Sequence, residues 1–303
     1  MTTTIQKILV PTDFSPLAAC SFQFALRLAA QSGASVHLLH VVESGSHYSL
    51  SSTGEVLHDP MDDLFTLKML EKGRGQLAEM AEKVPAETAP VYYQVQVGDA
   101  AEVILETILE NAIDLVVVGA SGGNWLDRLL VGSTTEQVVQ RAACPVITLK
   151  CGVGEAPLRD IVFAVDPDED QTCVIDALKR LQRLMGARLH LLLVNTPGAF
   201  ESSKVSRDRL RYFVTTHGVE NYATHVYDEA SLEGGLFGFA EEIGADLLAF
   251  GTHHQSRLLW VLGPNPEQHI VNHATRPVWT FNPQMAAART RPASAEDNYN
   301  CLL

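Results

Sequence analysis

The chain nearly repeats itself, and the repeat limits its fold more than any other feature. Ile8-Leu9-Val10-Pro11-Thr12-Asp13 is echoed 153 positions later by Ile161-Val162-Phe163-Ala164-Val165-Asp166, and His37-Leu38-Leu39 by His190-Leu191-Leu192. Farther along the offset is 132: Asp114-Leu115 matches Asp246-Leu247, Gly119 matches Gly251, and Pro145-Val146 matches Pro277-Val278. Two copies in the same order mean one structural plan used twice. The offsets differ by 21 residues, so the first copy carries a surplus between its second strand and its later half. The Ser/Gly-rich segment from Glu43 to Asp59 is the place for much of it, expected as an exposed, mobile loop.

Within each copy, apolar strand-like runs alternate with amphipathic runs of helical length. The first copy predicts strands near 5–11, 35–42, 91–97, 114–119 and 145–150, with helices over 16–31, 61–84, 100–112 and 133–143. Ser15-Pro16 reads as N-cap and first helical residue. The second copy predicts strands near 159–165, 188–194, 221–227, 245–250 and 277–282. Continuous Val/Leu/Ile strands joined by helices make a parallel sheet covered on both faces. The fold class is therefore α/β, with domains at 1–151 and 157–283 and a polar, aperiodic tail at 284–303 expected to be disordered.

The strand Ile113 to Val118 runs into Gly119-Ala120-Ser121-Gly122, nine residues, then Gly132-Ser133-Thr134 and a helical pattern. A glycine-rich loop between a strand's carboxyl end and a helix's amino end gathers free N–H groups and a positive dipole end, which suits phosphate. Asp13, Val41 and Gly119 all fall at carboxyl ends of predicted strands, where ligands of open parallel sheets settle.

Composition narrows the function classes. A net charge of −14, with both halves acidic, argues against sequence-blind nucleic-acid binding, which needs a basic face. Nothing reaches the run of about 18 apolar residues that a membrane span needs. The first strand starts within ten residues of Met1, which predicts no secretory signal ahead of it. Five cysteines without CxxC spacing read as reduced thiols, and the expected location is the cytoplasm.

Two units that each open with a Val-Pro-Thr-Asp-like strand end, the first closing with Gly-x-x-Gly-(nine)-Gly-Ser, resemble the tandem form of the universal stress protein family over residues 1 to about 283. The resemblance implies two doubly wound, five-stranded parallel-sheet domains, Rossmann-like and similar to the adenine nucleotide α-hydrolases. It implies ATP, with or without magnesium, at the strands' carboxyl ends. It puts Asp13, after Pro11 and Thr12, near the ribose or adenine, and the Val41 backbone against the adenine edge. Gly119, Ala120, Gly122, Gly132, Ser133 and Thr134 would surround the triphosphate. It also implies edge-to-edge pairing of final strands, here Val146-Ile147-Thr148 with Val278-Trp279-Thr280, and leaves a homodimer of the whole chain open.

Plainer roles compete at the same positions. Ser133-Thr134-Thr135-Glu136 is a capping box, and Asp13 can cap the turn before Ser15. Replacing Gly119 and Gly122 by alanine is expected to abolish nucleotide binding and leave the fold largely intact.

In the second copy Gly251 is followed by Thr252-His253-His254, and Gly263 by Pro264, which has no N–H for a phosphate. Asp166-Pro167-Asp168-Glu169-Asp170 adds four carboxylates where a triphosphate would approach. Nucleotide is thus expected in the first domain only. His269 and His273, with His253 and His254, form a weaker zinc candidate.

The loop lacks the lysine of a P-loop, so at most slow hydrolysis is expected, with no assigned catalytic residue. The function read from the sequence is an ATP-binding regulatory protein of the stress response. The alternatives are a carrier or interaction module whose second domain holds an apolar molecule or zinc, or a slow ATP-hydrolysing enzyme. The greasy, glycine-rich run Leu232 to Phe239 is the motif behind the carrier reading.

Overall fold

The computed structural model describes residues 4–43, 49–50, 56–57, 60–119, 133–149, 157–166, 169–252 and 276–290. In the first copy the order is β1 (Lys7–Pro11), α1 (Pro16–Ser32), β2 (Ser35–Val42), β3 (Ser49–Leu50), β4 (Val56–Leu57), α2 (Pro60–Glu82), β5 (Val91–Val97), α3 (Ala100–Glu110), β6 (Leu115–Gly119), α4 (Ser133–Arg141) and β7 (Val146–Leu149). The second copy follows as β8 (Asp160–Ala164), α5 (Thr172–Met185), β9 (Arg188–Asn195), α6 (Ser203–His217), β10 (Tyr222–Asp228), α7 (Leu232–Glu242), β11 (Leu247–Gly251), β12 (Val278–Phe281) and α8 (Pro283–Thr290).

Ten strands form one sheet in the order β10-β9-β8-β11-β12-β7-β6-β1-β2-β5. Within this sheet every pairing inside a copy is parallel. The two copies join where β12 runs antiparallel to β7, with Val278 opposite Thr148, Trp279 opposite Ile147 and Thr280 opposite Val146. At this seam Thr148 Oγ1 donates to Val278 O and Thr280 Oγ1 to Val146 O, both at 3.4 Å.

Burial follows the strand pattern. On one face α1, α2, α5 and α6 cover a single apolar core running through both copies, from Ile8, Leu38 and Ile147 to Phe163, Leu178 and Trp279. The opposite face divides in two, with α3 and α4 on the first copy and α7 on the second.

A repeated carboxylate registers each copy. Asp114 Oδ2 accepts from Gln6 N at 2.9 Å and Lys7 N at 3.0 Å. Its counterpart Asp246 Oδ2 accepts from Arg159 N at 2.8 Å and Asp160 N at 3.0 Å. Each clamp ties the entry of the fourth core strand to that of the first. Asp114→Ala removes the acceptor of one exposed and one part-buried amide and is expected to cost about 0.5–1.5 kcal/mol. An unchanged urea midpoint would show that water replaces the carboxylate freely.

Two expectations change. Residues 43–59, read as loop, contain the two-stranded ladder of β3 and β4, with Ser49 opposite Leu57 and Leu50 opposite Val56. The chain after β12, read as disordered tail, continues as α8 to Thr290. Asn282 Oδ1 accepts from Gln284 N at 3.1 Å and Met285 N at 3.4 Å, and Pro283 holds the first helical position. An asparagine cap followed by proline is a helix start that outweighs the polar composition. Asn282 Nδ2 also donates to Gln140 O at 2.9 Å, tying this turn to α4 of the first copy.

Candidate functional site

The first copy's strand order β7-β6-β1-β2-β5 reverses direction between β1 and β6. In an open α/β sheet the carboxyl ends of those two strands flank a crevice. Pro11 ends β1, with Thr12 and Asp13 just beyond, Gly119 ends β6, and Ser133 and Thr134 open α4. Val41 lies near the end of β2, its side chain packed against the core under α3 and α4. Ala120, Gly122 and Gly132 lie outside the described residues.

The turn after β1 is held from several sides. Thr12 is buried; its N–H donates to Leu39 O at 2.8 Å, and its own carbonyl accepts from His40 Nδ1 at 2.9 Å. Thr12 Oγ1 accepts from Phe14 N at 3.1 Å, and Asp13 Oδ1 from Ser15 N at 2.9 Å. Ser15 Oγ caps α1 through Ala18 N at 3.2 Å. Phe14 sits at φ 65°, a left-handed conformation that costs a bulky residue about 1–2 kcal/mol. Its ring packs on His40 with centroids 4.4 Å apart, which helps hold it there. Asp13 thus caps the turn, as its plainer role requires, and stays exposed at the crevice mouth.

Gly119 serves packing first. A Cβ there would lie 2.4 Å from Leu17 Cγ, so the leucine of α1's first turn occupies the space a side chain would need. The Gly119 carbonyl accepts from Thr135 Oγ1 at 3.1 Å, which draws the start of α4 to the end of β6. Ser133, the first described residue of α4, is already helical and so does not stand at the N-cap position, and Glu136 Oε1 accepts from Gln140 Nε2 at 3.3 Å. The first N–H groups of a helix lack intrahelical partners, so this terminus offers donors and a positive dipole end to an anion. His40, Phe14, Leu17 and Thr135 shape the site and escaped the sequence reading; only the Thr after Ser133-Thr134 had a visible signal, as part of the capping pattern.

The second copy's equivalent end is different. Asp166 is buried, with its N–H donated to Gln171 Oε1 at 3.1 Å, and Gln171 is buried too. Burial, reinforced by the Asp166 charge, pushes the Glu169 carboxyl up to about 7. Thr252, in the place of Ala120, is buried and donates its N–H to Phe281 O at 2.9 Å. Pro167, Asp168, His253, His254, Gly263, Pro264, His269 and His273 lie outside the described residues.

The greasy helix α7 is absorbed by packing. Leu236 and Phe239 are buried, and a Cβ at Gly235 would lie 2.5 Å from Val194 Cγ1. The glycine lets α7 sit directly on β9.

Among the described residues Cys20, Cys144 and Cys173 form no disulfide. Among the described residues no helix is long and apolar enough to cross a membrane.

Comparison with known proteins bears on this architecture. The model of the universal stress protein family matches residues 4–150. The universal stress protein YxiE of Bacillus subtilis is 31% identical over 153 residues, 48% of this chain and 98% of its own length. A universal stress protein of Methanocaldococcus jannaschii is 27% identical over 145 residues, 48% of this chain and 82% of its own. Both relatives therefore match about half of this chain. A universal stress protein structure from Archaeoglobus fulgidus superposes over 92% of this chain and 97% of its own, with TM-score 0.70 at 19% identity, which shows that the fold extends through both copies. With its first half matched in sequence and the same strand order used twice, the chain belongs to the universal stress protein family.

Proposed function

We infer that the protein is a cytosolic, tandem universal stress protein that binds ATP in its first copy and acts as a regulatory component of a stress response. The observation that carries this is the convergence of Asp13, Gly119 and the first turn of α4 at the switch point between β1 and β6. The donor set suits an adenine nucleotide: helix-start N–H groups for the phosphates and an exposed carboxylate for a sugar hydroxyl. Magnesium would travel with the phosphates. The second copy suits it poorly, because Asp166 and Glu169 oppose a polyanion at the corresponding strand end.

Thermal denaturation with ATP, ADP and AMP tests the reading. At 100 times its dissociation constant a ligand adds about 2.7 kcal/mol of stability, which raises the midpoint by several degrees. One nucleotide per chain is expected by titration. Two per chain would overturn the assignment of the second copy; none would overturn the whole reading.

A further inference from the structure

We propose that the second copy carries a binding site for an organic ammonium ion, an amine with an apolar body, in the cavity between α6 and the loop that follows β8. The cavity measures about 450 Å³, within the roughly 300–1,000 Å³ range of small-molecule sites. It lies on the α5/α6 face, away from α7, and is independent of nucleotide binding in the first copy.

One side of α6 builds it. Val205, Asp208, Tyr212 and Phe213 recur at helical spacing toward the cavity, and Glu169 faces them from the loop. Phe213 is buried, its ring 6.2 Å from that of Phe163, and it carries the His217 ring at 4.4 Å between centroids. Tyr212 is 73% exposed and Val205 44%, so apolar surface is left uncovered on the cavity wall.

The charges select the ligand. Burial holds His217 below the usual histidine range, with Asp176 opposing and Lys179 adding to the effect, so at neutral pH its ring presents a neutral face. Arg209 is turned to Glu201 at 3.1 Å, and Arg211 reaches Asp208 at 3.1 Å. An anion entering here meets Glu169 and Asp208. A neutral ligand leaves the carboxylates of Glu169 and Asp208 on the cavity wall without a counter-charge. An ammonium ion meets a carboxylate on one wall and aromatic faces on the other, the combination that recognises such cations.

The charged groups about Glu169 are Asp166 in its own loop, with Asp170 next in sequence, and Asp208, Arg209 and His217 across the cavity on α6. A bound cation favours ionised Glu169, so binding releases a proton wherever that carboxyl is still protonated. With its carboxyl at about 7, Glu169 is mostly protonated at pH 6 and mostly ionised at pH 8. Affinity for a permanently charged ligand should therefore rise about tenfold over that interval.

The test is calorimetric titration of the full chain with benzyltrimethylammonium at pH 6 and pH 8, with benzyl alcohol and benzoate as neutral and anionic counterparts. The expected result is that the cation binds best and gains about tenfold at the higher pH. Glu169→Gln should weaken binding at pH 8 and flatten the pH dependence, and Tyr212→Ala should weaken it at both pH values. Tyr212 is so exposed that its loss leaves folding intact, which circular dichroism checks. Absence of binding, equal binding of benzoate, or an unchanged pH dependence in Glu169→Gln would overturn the proposal. Repeating the titration with saturating ATP keeps this result separate from the fate of the nucleotide site.

Discussion

Trp279→Ala is expected to destabilise the chain by about 3–5 kcal/mol, the largest loss for any single replacement considered. Trp279 is 1% exposed and stands on β12 directly opposite Ile147 of β7, its own counterpart in the repeat. Beneath it one apolar core takes in Ile5, Leu115 and Ile147 of the first copy and Leu181 of the second, with Ala177 packed against it. Removing the indole therefore opens a hole where the copies meet, in a core they share. The damage should not stay in the second copy. Urea unfolding followed by circular dichroism should show the whole transition moved to lower denaturant. A loss below about 1 kcal/mol, or a second-copy transition that separates from an undisturbed first, would mean that the cores are energetically independent.

Gly119→Ala is expected to cost about 1–3 kcal/mol through overpacking, before any ligand is considered. The new Cβ would lie 2.4 Å from Leu17 Cγ and 2.8 Å from Cδ2; Cγ is the branch carbon, so rotation of the methyl ends gives no relief. The expectation that alanine here spares the fold is thus corrected by Leu17. Leu17→Ala in the same chain should recover much of the loss, and the double-mutant cycle should show favourable coupling. Strictly additive losses would show that contact with Leu17 is not the source of the glycine variant's loss. The pair also gives a cleaner ligand test than the glycine alone, since nucleotide binding can then be measured in a protein whose packing has been restored.

The repeat was legible because buried parallel strands leave little choice of residue, so Ile8 to Val10 and Ile161 to Phe163 carry the same apolar signature. The ends of most elements fall within a few residues of their expected places for the same reason. What periodicity cannot reveal is which groups meet across long stretches of chain. A glycine at the end of β6 announces close approach, yet only the fold shows Leu17 as the neighbour that approaches. Phe14 looks like an ordinary apolar residue, and nothing local marks its positive φ or its contact with His40. The side of α6 bearing Val205, Asp208 and Tyr212 reads as a solvated surface until the loop around Glu169, some forty positions earlier, is folded against it. The start of α8 was in plain view as Asn282-Pro283, and was masked by the small, polar residues that follow.

The antiparallel junction of β12 with β7 has a consequence for geometry at the scale of the whole molecule. Each half has its five strands of the large sheet pointing one way, so the halves open toward opposite rims of a single slab. A nucleotide after β1 and β6 and an amine beside the β8 loop would sit back to back, unable to touch or to compete for the same visitor. Each rim is thus reached from its own side, and what the two ends have in common is the apolar core beneath the seam.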